Sequence, residues 1–121
     1  MFEFGEMAVA NSKLLKYYFN LDERFLPLGQ FLKLWSAIQT LNGHRLPRDY
    51  VLYLLMIFYL QQKNMAPPVY MLQKDSKSHF IHDWDVGFNE LPYNSTNTEN
   101  LHQLLGGFFK YYSDLTMKNM S

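Results

Sequence analysis

The amino-acid sequence predicts an all-α fold: a compact bundle of about four to six helices around a buried central helix. Three observations lead there. Apolar residues recur at three- and four-residue steps in several segments, the repeat of a helix with one buried face. Asn, Gly and Pro punctuation separates those segments. The longest apolar run, Tyr50 to Leu60, is far shorter than the roughly 20 residues a membrane span requires and reads as a core helix. A chain of 121 residues with 48% hydrophobic and 17% aromatic content forms one domain, residues 1–121, able to bury about two-thirds of its unfolded surface.

The elements follow in order. A first helix is expected from about Met7 to Phe19, with Leu14, Leu15 and Tyr18 inward and Lys13 and Lys16 outward. Asn20-Leu21-Asp22 ends it, and Asp22 is placed to N-cap the next helix. That second helix runs to about Leu41, with Phe25, Leu28, Phe31, Leu32, Trp35 and Ile38 as its apolar set. Pro27 predicts an irregular or kinked start, and Asn42-Gly43 a clean stop. The third helix is expected from Pro47 to about Lys63. It is apolar on all sides, as a helix wrapped by the others would be.

Ala66-Pro67-Pro68 stops that helix, and Val69 to Leu72 reads as a short turn. Within residues 79–89, His79 to His82 and Val86 to Phe88 read either as a small hairpin about Asp83-Trp84-Asp85 or as a loop pinned by Trp84. The last helix places Leu101, Leu104, Leu105, Phe108 and Tyr112 on one face. Its Gly106-Gly107 pair costs about 1 kcal/mol per residue relative to Ala, which is tolerable where another backbone packs close.

Composition removes several classes of function. Lys plus Arg equals Asp plus Glu at eleven each, so the basic excess that phosphate-backbone binding needs is missing. The absence of Cys excludes a disulfide framework and a thiolate metal site. The seven Met residues suit flexible core filling. The start, Met1 to Glu6, is acidic and carries no targeting pattern. A cytoplasmic location is expected, in which the Asn94-Ser95-Thr96 sequon has no use.

Candidate chemistry is sparse. Asp83-x-Asp85 has the spacing of a Mg²⁺-holding carboxylate pair, but no Gly-Ser turn precedes it and Trp84 intervenes, so two solvated loop acids are the better reading. His79, His82 and Asp83 lack the fourth close ligand a zinc site needs. His44 and His102 stand alone. The residues call for no metal and no cofactor.

The segments taken together resemble one family. Asn11-Ser12-x-Leu14-Leu15, Leu21-Asp22-x-Arg24-Phe25-x-Pro27-Leu28, Leu32-Lys33-Leu34-Trp35, Tyr50 to Gln61, Pro67-Pro68, Trp84 to Phe88 and Asn97 to Tyr112 are similar to the helical central domain of terminal uridylyltransferases and mitochondrial-type poly(A) polymerases. The order and spacing match over almost the whole chain. The final segment resembles the poly(A)-polymerase-associated piece of that domain and is the most specific part.

In that family a separate nucleotidyltransferase domain holds three carboxylates and two Mg²⁺ ions. The resemblance places that domain ahead of Asn11, leaving Phe2-Glu3-Phe4 as all that could remain of its third carboxylate strand. It therefore implies a chain without two-metal catalysis of its own.

The resemblance also implies vestigial nucleotide contacts: Asn11 matches a ribose-touching Asn, Lys33 a triphosphate-touching Lys and Tyr50 the stacking Tyr. A second family Lys corresponds to Ala37, and a Ser to Asp49, so one phosphate anchor is missing and another has become a carboxylate. Each residue also has a plain structural explanation: Asn11 inside a helix, Lys33 lying along Trp35, Tyr50 in the core.

Two functions follow as expectations. The first is a non-catalytic remnant of an RNA 3′-end nucleotidyltransferase that assembles as a homodimer, or with a fixed partner, through the surface its catalytic domain once covered. The second is one half of a split RNA-tailing enzyme that binds nucleotide or RNA beside a separate catalytic subunit. A plain RNA-binding module would need a basic strip, for which Lys13, Lys16, Arg24 and Lys33 are the nearest residues. No membrane association is expected.

Overall fold

The computed structural model describes residues 2–44, 49–81 and 84–120. Five helices and one two-residue strand pair follow in the order α1 (Phe2–Leu21), α2 (Phe25–Leu41), α3 (Asp49–Gln62), α4 (Val69–Gln73), β1 (Phe80–Ile81), β2 (Trp84–Asp85) and α5 (Leu101–Met120). The fold is all-α with a small β element. Helix α2 packs against α1, α3 and α5, α3 also meets α5, and β1 rests on α1.

Local chemistry sets the helix limits. Phe2-Glu3-Phe4 lies inside α1, so these residues are helical and not the remnant of a strand. Asp22 does not cap α2. Its carboxylate accepts the Arg24 N–H at 2.9 Å, and Arg24 itself occupies the N-cap position without a side-chain bond. The irregularity expected at Pro27 falls instead at residues 22–24. From Phe25 the helix is continuous, because Pro27 stands in the first turn, where its missing N–H leaves no bond unmade.

Two helices end in the same way. After α2, Gly43 takes φ +90°, its N–H donates to the Thr40 carbonyl at 3.1 Å and the His44 N–H to Gln39 at 3.0 Å. After α3, Asn64 takes φ 59°, with bonds from Asn64 N–H to Gln61 at 3.0 Å and from Met65 N–H to Leu60 at 2.9 Å. Both are Schellman stops, in which a left-handed residue turns the chain back over its last carbonyls. Helix α3 therefore ends before Ala66-Pro67-Pro68. Met65, carried inward by that turn, is 1% exposed.

At the start of α5, Asn100 and Gln103 satisfy each other's backbone. The Gln103 N–H reaches Asn100 Oδ1 and the Asn100 N–H reaches Gln103 Oε1, both at 2.8 Å. This is a capping box. The strand pair is antiparallel, with Phe80 opposite Asp85 and Ile81 opposite Trp84. This register centres the pairing between positions 82 and 83 and not on Trp84, and Trp84 and Asp85 lie in a strand.

The core gathers Tyr18, Phe25, Leu28, Leu32, Met56, Leu60 and Leu104, each no more than 1% exposed. Tyrosine hydroxyls stitch its edges. Tyr18 donates to the Pro67 carbonyl at 2.7 Å, Tyr17 to Leu91 at 2.6 Å and Tyr112 to Leu55 at 2.6 Å. Burial pushes the Tyr18 and Tyr112 hydroxyls up to about 12.

Three expectations about packing need correction. Helix α3 supplies the centre of the core through Leu52, Met56, Tyr59 and Leu60, yet it is not wrapped: Tyr50, Val51, Leu54 and Phe58 are exposed along its outer side. On α2, Phe31 and Ile38 are likewise exposed. The helix is apolar on both sides, and the core takes the side of Phe25, Leu28 and Leu32. Of the glycine pair, only Gly107 meets a neighbour, and that neighbour is the Tyr59 hydroxyl and not a backbone; Gly106 faces open space.

These contacts make two predictions. Gly106→Ala adds helix propensity at no steric cost and should stabilise by about 0.5–1 kcal/mol. Gly107→Ala would drive its methyl into Tyr59, whose hydroxyl donates to the Leu104 carbonyl at 3.2 Å, and should destabilise by about 1–3 kcal/mol. Thermal melts of the two variants should move in opposite directions. Raised folded-state values at Tyr18 and Tyr112 mean that their stabilising contribution is complete below the ordinary value near 10 and is lost as pH rises through about 12. Urea midpoints should accordingly fall between about pH 10 and 12, and less so in Tyr18→Phe.

Candidate functional site

Helices α1 and α3 run alongside a groove of about 310 Å³ whose walls include Asn11, Leu14, Tyr18, Tyr50, Leu54 and Phe58. Small-molecule sites start at about this volume. Asn11 lies in the third turn of α1 and Tyr50 is the second residue of α3, so two of the three residues suggested by the sequence share one cleft. Tyr50 is 40% exposed, which removes the reading of it as a core residue. The rest of the lining is apolar, apart from Gln61. That amide is already committed, donating to Tyr18 Oη and to the Pro67 carbonyl at 3.2 Å each.

Lys33 is not a lining residue of the groove. Its ammonium stands 3.6 Å from the Asp49 carboxylate, with both side chains at least half exposed. Trp35 packs on the Phe109 ring at a centroid distance of 4.8 Å. An exposed pair of this kind contributes at most about 1 kcal/mol to stability, but it cancels the local charge. An incoming phosphate at Lys33 would meet a carboxylate beside it, while Ala37, one turn further on, is exposed and uncharged.

The other sequence candidates fare differently. Asp85 holds a turn together: its Oδ1 accepts the N–H groups of His79 and Gly87, both at 3.0 Å. Those two bonds pull its carboxyl below the usual range. His82 and Asp83 lie outside the described residues. His44 belongs to the Schellman turn after α2, and His102 is exposed on α5.

Arg24, considered above for RNA, is instead the hub of a clasp. Its Nε and Nη2 donate to the Asp22 carboxylate at 2.9 and 2.6 Å, and its Nη1 donates to Asn97 Oδ1 at 3.0 Å and to the Glu99 carbonyl at 2.7 Å. Glu99 in turn takes the Asn97 amide and the Lys63 ammonium, each at 2.7 Å. Those donors hold the Glu99 carboxyl below its ordinary range, as the Arg24 fork does that of Asp22. With Arg24 bound to Asp22 and Lys33 paired with Asp49, two of the four basic residues are neutralised, leaving Lys13 and Lys16 exposed on α1.

Sequence reasoning missed two features. The clasp was legible as Asp22-x-Arg24 and Asn97-x-Glu99, but the link between segments more than 70 residues apart was not. The outward apolar face of α2 was hidden because Phe31 and Ile38 share the three- and four-residue steps of the inward set.

The clasp gives a prediction. Depressed carboxyl values mean stability that is present above the unfolded values near 4 and lost as pH falls through the lower folded ones. Urea midpoints should decline below about pH 4. In Arg24→Met the decline should be shallower and the midpoint near pH 7 lower by about 2–4 kcal/mol of stability, since Asn97 and the Glu99 carbonyl lose a charged donor.

No protein-family model matches the chain. Curated relatives do. The chain is 35% identical over 122 residues to a speckle targeted PIP5K1A-regulated poly(A) polymerase of Danio rerio, with 90% of the chain and 15% of the relative aligned. It is 31% identical over 116 residues to the poly(A) RNA polymerase GLD2 of Homo sapiens, with 88% and 24% aligned. Against the terminal uridylyltransferase cid1 of Schizosaccharomyces pombe, identity is 30% over 120 residues, with 90% and 29% aligned. Among solved structures, a crystal structure of the Cid1 poly(U) polymerase superimposes with a TM-score of 0.75 at 29% identity, covering 88% of this chain and 35% of that one. A cytoplasmic RNA terminal U-transferase gives 0.73 at 27% identity, covering 88% and 36%. The chain thus spans less than a third of the length of these curated relatives. By sequence and by fold, this protein is homologous to a segment of the RNA poly(A) polymerases and terminal uridylyltransferases.

Proposed function

We propose that the chain is a non-catalytic relative of the RNA 3′-end nucleotidyltransferases that acts as an assembly module, associating with a second copy or a fixed protein partner. One observation carries this reading: large apolar side chains on the outer sides of both α2 and α3 face solvent. Contiguous apolar surface above a few hundred Å² marks an association site more often than a solvated face. The reading also draws on the chemistry of the groove. With Asp49 beside Lys33 and an exposed Ala37 one turn on, the described residues around Lys33 do not accumulate the positive charge a triphosphate needs.

A second reading is favoured by one specific contact. Asn11 and Tyr50 line the same groove, the arrangement that a split tailing enzyme would use to hold a nucleoside beside a catalytic subunit. Charge separates the two. In the second reading a nucleoside triphosphate with Mg²⁺ must reach Lys33 by displacing Asp49.

Titration of the purified chain with UTP and with ATP in the presence of Mg²⁺, followed by tryptophan fluorescence and calorimetry, distinguishes them. The assembly reading expects no saturable signal up to about 1 mM, corresponding to less than about 4 kcal/mol of affinity, and no extension of an RNA primer. Saturable binding that Lys33→Ala or Tyr50→Ala abolishes would favour the split enzyme. Primer extension by the chain alone would overturn both.

A further inference from the structure

Asn42-Gly43 is the one Asn-Gly step in the chain, and it forms the stop that ends α2. Asn42, Gly43 and His44 are all exposed. In such a step the side-chain carbonyl carbon of the asparagine can close a five-membered ring with the next backbone nitrogen. Gly43 has no side chain to shield that nitrogen, and a Cβ built there would meet no described atom within 4 Å.

We infer that Asn42 is a self-modification site, at which the chain's own backbone converts the side-chain amide to a carboxyl. The Gly43 nitrogen attacks Asn42 Cγ, and the new C–N bond closes a cyclic imide. The side-chain nitrogen leaves as ammonia, carrying the proton that Gly43 gives up. Water then opens the imide at either carbonyl. One opening leaves an aspartyl residue, and the other an isoaspartyl residue whose main chain is longer by one methylene. No oxidation state changes, and water is the sole co-reactant. The chemistry is internal to the chain and independent of what it assembles with.

Other asparagines are less suited. Asn11-Ser12 lies inside α1, where the helical backbone is fixed on both sides. At Asn94-Ser95 the nucleophile carries a side chain, whose Oγ accepts the Asn97 N–H at 3.0 Å.

The folded stop sets the rate. Asn42 has φ −86° and ψ 9°, which nearly eclipses the Gly43 nitrogen with Asn42's own nitrogen and turns it away from Cγ. The Gly43 N–H also donates to the Thr40 carbonyl at 3.1 Å, and the His44 N–H to Gln39 at 3.0 Å. Attack requires these bonds to open and ψ to rotate. Asn42 stays tethered meanwhile, its own N–H shared between the Ile38 and Gln39 carbonyls at 3.2 and 3.1 Å. Exposed bonds at a helix end open at little cost in free energy, and the buried residues of α2, from Phe25 to Ser36, all precede this turn. The reaction therefore runs through fraying of the stop and not through global unfolding. Either product places a carboxylate at the C-terminal end of α2, where the helix dipole opposes it. Conversion thus weakens the stop that made it possible.

Incubation of the purified 121-residue chain in mildly alkaline buffer, followed by peptide mass spectrometry, tests the site. The mass gain of an amide-to-acid exchange should accumulate in the peptide that holds Asn42, ahead of the one that holds Asn94. A methyltransferase specific for isoaspartyl carboxyls should label the same peptide, and Asn42→Gln should take neither mark. Gly106→Ala and Gly107→Ala shift global stability in opposite directions, and both should convert at the wild-type rate. A reaction that needs global unfolding would instead run about two- to fivefold slower in Gly106→Ala and faster in Gly107→Ala. No conversion at Asn42, earlier conversion at Asn94, or rates that follow the measured stability of the two glycine variants would each overturn the inference.

Discussion

Two helices that carry large apolar side chains on both an inner and an outer side set the terms for everything else in this molecule. Helices α2 and α3 each turn one side inward, giving a core of Phe25, Leu28, Leu32, Met56 and Leu60 at essentially zero exposure. Burying a side chain of that size stabilises by about 1.5–3 kcal/mol, so the inner sides suffice to hold the bundle. The outer sides, with Phe31, Leu34, Ile38 and Leu41 on one and Tyr50, Val51, Leu54 and Phe58 on the other, remain in water. In proteins three or more times its length, further residues are available to lie over such faces, and the same helix pattern is then consistent with burial on both sides.

Around this core the chain is secured by polar devices at its bends. The two Schellman turns after α2 and α3, the capping box at α5, the Asp85 turn and the Arg24 clasp fix where each helix starts and stops. The clasp spans the longest sequence distance, tying the α1–α2 turn to the lead-in of α5 through Asn97 and Glu99. Lys63 adds the end of α3 to the same network, its ammonium lying 5.7 Å from the Tyr59 ring centroid. Tyr59 in turn donates to Leu104 and packs edge-on against Phe108. A basic residue that reads as a nucleic-acid contact in the sequence is, in three dimensions, spent on holding helices together.

The groove between α1 and α3 has about the volume at which small-molecule sites begin. Asn11 and Tyr50 share its walls, while Lys33 is outside the lining and is paired with Asp49 at 3.6 Å. Tyr18 belongs to the buried core and Leu14 packs against it, so part of the groove wall is also part of the fold.

The sequence by itself determined the all-α class, the number and order of the main helices, the stop at Asn42-Gly43 and the kinship with RNA-tailing enzymes, since helix periodicity, glycine chemistry and residue order are local properties. It did not determine which side of α2 and α3 would be buried. Phe31 and Ile38 satisfy the same periodic steps as Leu28 and Leu32, and a helix apolar on both sides carries no local signal of its orientation. Nor could it separate Arg24 as a structural hub from Arg24 as a surface cation, because Asn97 and Glu99 reach it only after the chain has folded back. Orientation and pairing are decided by tertiary packing, where the free energy depends on what lies opposite each side chain and not on its neighbours in sequence.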